Sequence, residues 1–324
     1  VASSSAGHNG EHNIAAMALD TGGNIGYSSI TVTVYNSKEH GYVPLAPINA
    51  KASAMTVHYS VFDLSHALDT TYISSASPSP TAEILALAES LQGVTSQVGP
   101  LAMPAKSDAV TSCEVTWQLQ EVPTDDMRVK VFRDGIFIGE SPAAQAGSTS
   151  LLIGFPDPPA QTGSYIDGSS KLSPNTPVSY TVSVYNRSGE SPESNSATTT
   201  PLSALTKVPS IQTGFSDTLD TMLFKWGPVE GAKLYLITVI DGNSHELMWE
   251  GYAYWYESRQ ISYGDPNHTI RSSSPLVSGK SYLWYVMAVN SVPDPTGLLE
   301  YPRRWPDRIS ASASDLGSLN WVQD

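Results

Sequence analysis

The sequence predicts an all-β protein built from successive β-sandwiches, with one short helix near residues 80–92. Three observations carry this. First, apolar and polar residues alternate with a period of two in many short runs, among them Ile30-Thr31-Val32-Thr33-Val34, Met127-Arg128-Val129-Lys130-Val131 and Tyr180-Thr181-Val182-Ser183-Val184. Successive side chains of a strand point to opposite faces, so this is the pattern of half-buried strands. Second, turn signals separate the runs: Asn9-Gly10, Gly22-Gly23-Asn24, Asp134-Gly135 and Asp241-Gly242. Third, a single stretch reads as a helix. Ser79 can cap its start, Pro80 suits the first helical position, and Thr81 to Leu91 then runs toward Gly93 as a stop. Short strands with regular turns argue for sheet packed on sheet.

The bulk numbers fit this class. With 324 residues, 40% of them hydrophobic, the chain can bury the cores of two or three domains. Only 15% are charged, against roughly 25% in an ordinary soluble domain. The net charge is -14, and no basic patch interrupts it. Such a chain repels phosphate backbones, so nucleic acid is excluded as a partner. The lone Cys113 cannot form an internal disulfide and reads as a small buried apolar residue. No apolar run is long enough for a membrane-spanning helix. The start Val1-Ala2-Ser3, without Met, reads as that of a processed or excised product.

Four regions follow in order. In residues 1–36 two alternating runs flank the Gly22-Gly23-Asn24 turn. The stretch Gly10-Glu11-His12-Asn13-Ile14 through Asp20 and on to Val34 resembles the closing hairpin of a bacterial immunoglobulin-like domain, without that domain's earlier strands. Residues 37–106 form a connecting segment with a strand at Met55–Leu64 and the 80–92 helix, able to complete the first sandwich. In residues 107–206, Val115-Thr116-Trp117 and the run from Val129 to Gly135 resemble strands B and C of a fibronectin type III domain. Its later corner position falls on Val178 rather than Tyr, so the corner hydrogen bond is absent or replaced, with Tyr180 as the candidate. If Val182 and Val184 point inward there, Ser179, Thr181 and Ser183 face water. Residues 207–324 carry the fullest resemblance to the same family. Phe224-Lys225-Trp226 and Tyr235 to Val239 stand as strands B and C. Leu276, Tyr282 and Asn290 keep the family's spacing around its corner tyrosine. The resemblance implies tandem sandwiches and a binding or structural role, not catalysis.

The stretch His8-Asn9-Gly10-Glu11-His12 matches H-x-x-E-H, a zinc-peptidase pattern. That chemistry needs a helix, so that both His share one face. Asn9-Gly10 is a turn signal and His12 lies at the start of a predicted strand, so the match reads as accidental. The seven His are dispersed, and Asp20 to Asn24 lacks the full calcium-loop pattern. No catalytic, cofactor or metal residues are therefore assigned. Asn186-Arg187-Ser188 and Asn267-His268-Thr269 are glycosylation sequons by pattern.

Two features point to binding. In the last region Tyr282, Trp284, Val286 and Ala288 alternate inward, yet the opposite face, Leu283, Tyr285, Met287 and Val289, is also apolar, and Leu236 and Ile240 add to it. A sandwich sheet needs one apolar face, so the outer one must be covered by the 37–106 segment, a neighbouring domain or another subunit. Leu236, Leu283, Tyr285 and Met287 are thus interface candidates. Tyr301, Arg303, Arg304 and Trp305 join them, on a proline-rich loop and of types enriched at interfaces. The run Trp249 to Tyr256 holds five aromatics, and Trp249, Tyr252, Tyr254 and Trp255 are candidates for stacking on sugars. Two functions follow as expectations. One is a secreted, non-enzymatic structural or adhesive protein of a microbial cell surface, assembling with copies of itself into a filament or binding a cell-surface protein. The other is a non-catalytic, polysaccharide-binding accessory region of a secreted polysaccharide-degrading enzyme.

Overall fold

The computed structural model describes residues 10–19, 22, 25–34, 43–68, 79–97, 108–124, 126–143, 162–216, 221–272, 275–293 and 305–322. The chain opens with strands β1 (Gly10–Leu19) and β2 (Ile25–Val34). They pair antiparallel, with Ile14 opposite Ile30 and His12 opposite Val32. His12 is therefore in extended backbone, not on a helix. This hairpin is a sheet of its own: neither strand pairs with any other described strand.

Next comes β3 (Ile48–His58), followed directly by helix α1 (Tyr59–Ala67) and then helix α2 (Pro80–Gln97). The expected strand at Met55–Leu64 thus ends at His58, where the chain turns helical. The cause is local. The His58 backbone is extended and its side chain accepts from the Ser60 N–H, which makes it the N-cap. Val61, Leu64 and Leu68 then share one buried side. α2 starts as expected, with Ser79 Oγ accepting from the Ala82 N–H at 3.1 Å. It runs past Gly93 to Gln97, because glycine permits a helix to end without forcing it to.

The strands β4 (Ala109–Gln118), β5 (Arg128–Arg133), β6 (Ile136–Pro142), β7 (Thr162–Asp167), β8 (Val178–Asn186), β9 (Gly189–Glu190) and β10 (Ala197–Thr199) build one sandwich. Its first sheet runs β10-β8-β5-β6, with β9 on β8. Asp134 and Gly135 link β5 to β6 with φ of 50° and 76°, the left-handed pair that a tight hairpin turn demands. The facing layer is β3-β4-β7. β3 thus sits beside β4 with both helices inserted between them in sequence, and it pairs with β4 rather than with the N-terminal hairpin. Ala54, Cys113, Val115, Trp117, Val129, Val131, Tyr180, Val182 and Val184 fill the space between the layers.

The second sandwich uses β11 (Gln212–Ser216), β12 (Thr221–Lys225), β13 (Leu234–Asp241), β14 (Leu247–Tyr254), β15 (Gln260–Ser262), β16 (Thr269–Ser272), β17 (Ser281–Val289), β18 (Arg308–Ala313) and β19 (Gly317–Asn320). Its small sheet is β11-β12-β15. The other sheet runs β16-β14-β13-β17-β18 and does not stop there. β18 pairs parallel with β3, Ile309 opposite Met55, so one sheet crosses both sandwiches as β16-β14-β13-β17-β18-β3-β4-β7, with β19 on β17. Phe224, Trp226, Tyr235, Ile237, Trp249, Tyr282, Trp284 and Val286 form the core under the small sheet. The Tyr282 hydroxyl accepts from the Val277 N–H at 2.8 Å, which pins the loop before β17 as a corner tyrosine should.

The long sheet thus has small sheets on one face and helices on the other. β3 shows the division residue by residue. Ala50 and Ala54 enter the core of the first sandwich, while Met55 and Val57 lie under the helices.

Candidate functional site

The apolar outer face of β13 and β17 is covered, and the cover is the chain's own insertion. Val61, Phe62, Leu64 and Leu68 of α1 and its C-terminal flank, with Ile84, Leu85 and Ala88 of α2, pack on Leu234, Leu236, Ile240, Tyr285, Met287 and Val289. Leu236 and Met287 are fully buried and Tyr285 nearly so, while Leu283 is half-buried at the margin. These four were candidates for an interface, and their partners lie within the chain. A second subunit has no room at Leu236, Tyr285 or Met287.

Polar pins fix the helices in place. Thr81, in the first turn of α2, donates from its N–H to Oε1 of buried Glu250 on β14 at 3.1 Å, and its hydroxyl donates to the same oxygen. The Thr238 hydroxyl lies 3.1 Å from that of Thr81. A carboxylate here satisfies an N–H that the helix leaves unpaired and complements the positive end of the helix dipole. Trp305 Nε1 donates to Glu83 Oε2 at 2.9 Å, so this candidate also serves the helix layer. Tyr301, Arg303 and Arg304 lie outside the described residues.

The stacking candidates separate into two groups. Trp249 is fully buried, flat against Phe224 (6.0 Å between centroids, 17° between planes), with its Nε1 donating to Thr269 Oγ1. It is a core residue and cannot meet a sugar. Tyr252 and Tyr254 are half-buried on the helix-covered side of β14, edge to face with each other at 5.5 Å. Trp255 is 57% exposed and Tyr256 is 67% exposed. Their rings stand at 82° with centroids 5.9 Å apart, a corner rather than a flat platform. Tyr256 also stacks on Tyr254 at 5.5 Å and 11°.

Carboxylates and one histidine hold this corner. Glu257 Oε2 accepts from the Tyr254 N–H at 2.7 Å, closing the turn after β14. His268 bridges two turns, Nδ1 to Asp265 at 3.1 Å and Nε2 to Glu257 at 3.4 Å, and its ring meets Tyr252 edge-on. Burial works to lower the His268 pKa, but the hydrogen bonds to Asp265 and Glu257 outweigh it, and the net shift is upward. Tyr256, Glu257 and His268 escaped the sequence reading as a site. The aromatic run pointed at Tyr256, but only the fold brings His268 alongside.

A third cluster is structural. Arg133 on β5 meets Asp167 on β7 at 2.7 Å, both almost buried, and the Tyr180 hydroxyl donates to the same Asp167 oxygen at 2.8 Å. This clasp joins the two layers of the first sandwich where the expected corner tyrosine is missing. Burial pushes the neighbouring Cys113 thiol up to about 12, so it stays neutral and unreactive. Ser183, expected to face water, is buried and donates to Glu190 at 2.6 Å. Among the described residues no group of three or more His, Cys, Asp or Glu is arranged to hold a metal ion, and no helix is long and apolar enough to cross a membrane.

The paired antiparallel layers define an all-β protein of packed β-sandwiches. A crystal structure of the FN1–FN3 domains of chicken CNTN1 aligns with it over 84% of this chain and 70% of that one, at 11% identity and a TM-score of 0.41. The sequence matches no protein-family model and no curated protein.

Proposed function

We propose that this chain is a non-enzymatic structural or adhesive protein of a cell surface, that its two sandwiches are tandem fibronectin type III domains, and that it joins to further copies through its N-terminal hairpin. The observation that carries the reading is the isolation of β1 and β2. They pair with no other described strand, and Ile30 of β2 is 60% exposed. A two-stranded hairpin by itself is marginal in water, and a strand at the edge of a sheet invites strand addition from another chain. Head-to-tail pairing of that kind yields a filament wherever its rotation does not close into a ring. The burial of Leu236, Tyr285 and Met287 inside the chain supports assembly through the hairpin over assembly through the outer face of the last sandwich.

Light scattering after size exclusion, with negative-stain microscopy, tests this. The unmodified chain is expected to form large oligomers or filaments, and Ile30→Lys to release them as folded monomers. A wild-type chain that is monomeric at every concentration ends the proposal. The polysaccharide reading has lost Trp249 to the core and retains one well-exposed candidate of four, Trp255.

A further inference from the structure

We propose that the corner formed by Trp255, Tyr256 and the Tyr254 ring stacked on Tyr256 is a binding site for an arginine or lysine side chain presented by a partner protein. The rings supply the first part of the argument. Two exposed aromatic faces at right angles, one of them backed by a third ring, offer a cation two π surfaces at once. Aromatic faces are electron-rich and attract a guanidinium or ammonium group, and arginine's planar head can also stack flat on an indole.

The charges supply the second part and decide the kind of ligand. The acidic groups acting on the hydroxyls of Tyr252 and Tyr254 are Glu257 for both and Asp265 for Tyr252. The nearby imidazole of His268 lies between those two carboxylates. A carboxylate has about four acceptor positions, so Glu257 keeps capacity after serving Tyr254 and His268. The chain as a whole carries -14, which draws basic partners toward it from a distance. A neutral sugar would use the ring faces but gain nothing from this charge.

His268 makes the site sensitive to pH. The groups that face it are Asp265 on its own turn, Glu257 on the turn after β14, and the Tyr252 ring of β14. While protonated, it compensates one of the two carboxylate charges. Once neutral, it leaves both to the ligand. Cation binding therefore strengthens as pH rises through the His268 titration, and a bound cation in turn lowers the pKa of that imidazole.

The test is calorimetric titration of the whole chain with a tetra-arginine amide, at moderate salt, at about pH 8.5 and about pH 5.5, either side of the ordinary histidine range. Trp255→Ala and Tyr256→Ala are surface changes that keep the fold, checked by circular dichroism. Each is expected to weaken binding about tenfold. Tetra-lysine should bind more weakly than tetra-arginine, and binding should be weaker at the acid pH. If both variants bind tetra-arginine as well as the unmodified chain does, the attraction is only the diffuse negative charge and the site is refuted. Absence of binding at millimolar peptide refutes it too. So does a neutral oligosaccharide that binds with the same dependence on Trp255 and Tyr256, which would return the corner to the glycan reading.

Discussion

Two tryptophans six residues apart separate what a side chain does for stability from what it offers to a partner. Trp249 is sealed against Phe224 and Tyr263, so Trp249→Ala is expected to cost about 3–5 kcal/mol in urea unfolding. Trp255 stands in water, and Trp255→Ala should move stability by less than about 0.5 kcal/mol. Asp167 is the sharper case. Asp167→Ala strands the nearly buried Arg133 and the Tyr180 hydroxyl together, and a loss of about 3–5 kcal/mol is expected by the same measurement. His58 and His268 work in opposite directions. His58 accepts hydrogen bonds at Nδ1, and burial, the largest cause, lowers its pKa. Its stability contribution is complete above the unfolded value of 6.5 and is lost as pH falls through the lowered folded value. His268 is shifted up, so its contribution is complete below 6.5 and is lost as pH rises through the raised folded value. His58→Asn keeps an N-cap without the titration and should flatten the acid-side loss. His268→Gln should flatten the change on the alkaline side. Unfolding curves across the pH range decide both.

At the scale of elements, α1 and α2 owe their place to the sheet below them more than to their own sequences. At nine residues α1 is too short to be stable alone, and α2 carries Gly93 in its body, a poor helix former. What holds them is the apolar face of β13 and β17, with Glu250 and Thr238 fixing the first turn of α2. Thr81→Val removes the hydroxyl that serves both groups while keeping the shape. It is expected to cost about 1–3 kcal/mol, because the buried Glu250 carboxylate loses a donor. Amide exchange in α2 should then quicken well before that in β13. The strand-to-helix change at His58 was hidden in the sequence for a physical reason. Met55, Val57, Tyr59 and Val61 alternate as a strand would, and the helical set Val61, Leu64, Leu68 overlaps that run. His is also an uncommon cap. The α2 start was readable because Ser79 and Pro80 are the residue types whose local chemistry begins a helix.

At the scale of the whole molecule, the parallel pairing of β3 with β18 turns two sandwiches into a single sheet-linked body. The linker strengthens the joint: Thr56 donates to the Leu202 carbonyl, Leu205 N to Ser310 Oγ, and Val208 N to the Ala313 carbonyl. Tandem sandwiches joined only by a linker would unfold separately. Here a single transition is expected, with exchange protection in β4 and β13 lost at the same urea concentration. Met287→Ala, under the helices, should shift both together by about 2–5 kcal/mol. Two transitions would mean that the shared sheet couples the halves weakly.

By itself the sequence determined the sandwich class, the clearly alternating strands (β2, β5 and β8 among them), the α2 start and the existence of a cover over Leu283, Tyr285 and Met287. These follow from period-two alternation and from turn and cap chemistry, which act between residues close in the chain. Only the tertiary structure decided what the cover is, that β3 joins β18, that Trp249 turns inward while Trp255 turns out, and that His268 meets Glu257. Each of these depends on which distant segments share a layer. An apolar face in a sequence demands burial without naming its partner, because the hydrophobic effect has magnitude but no address.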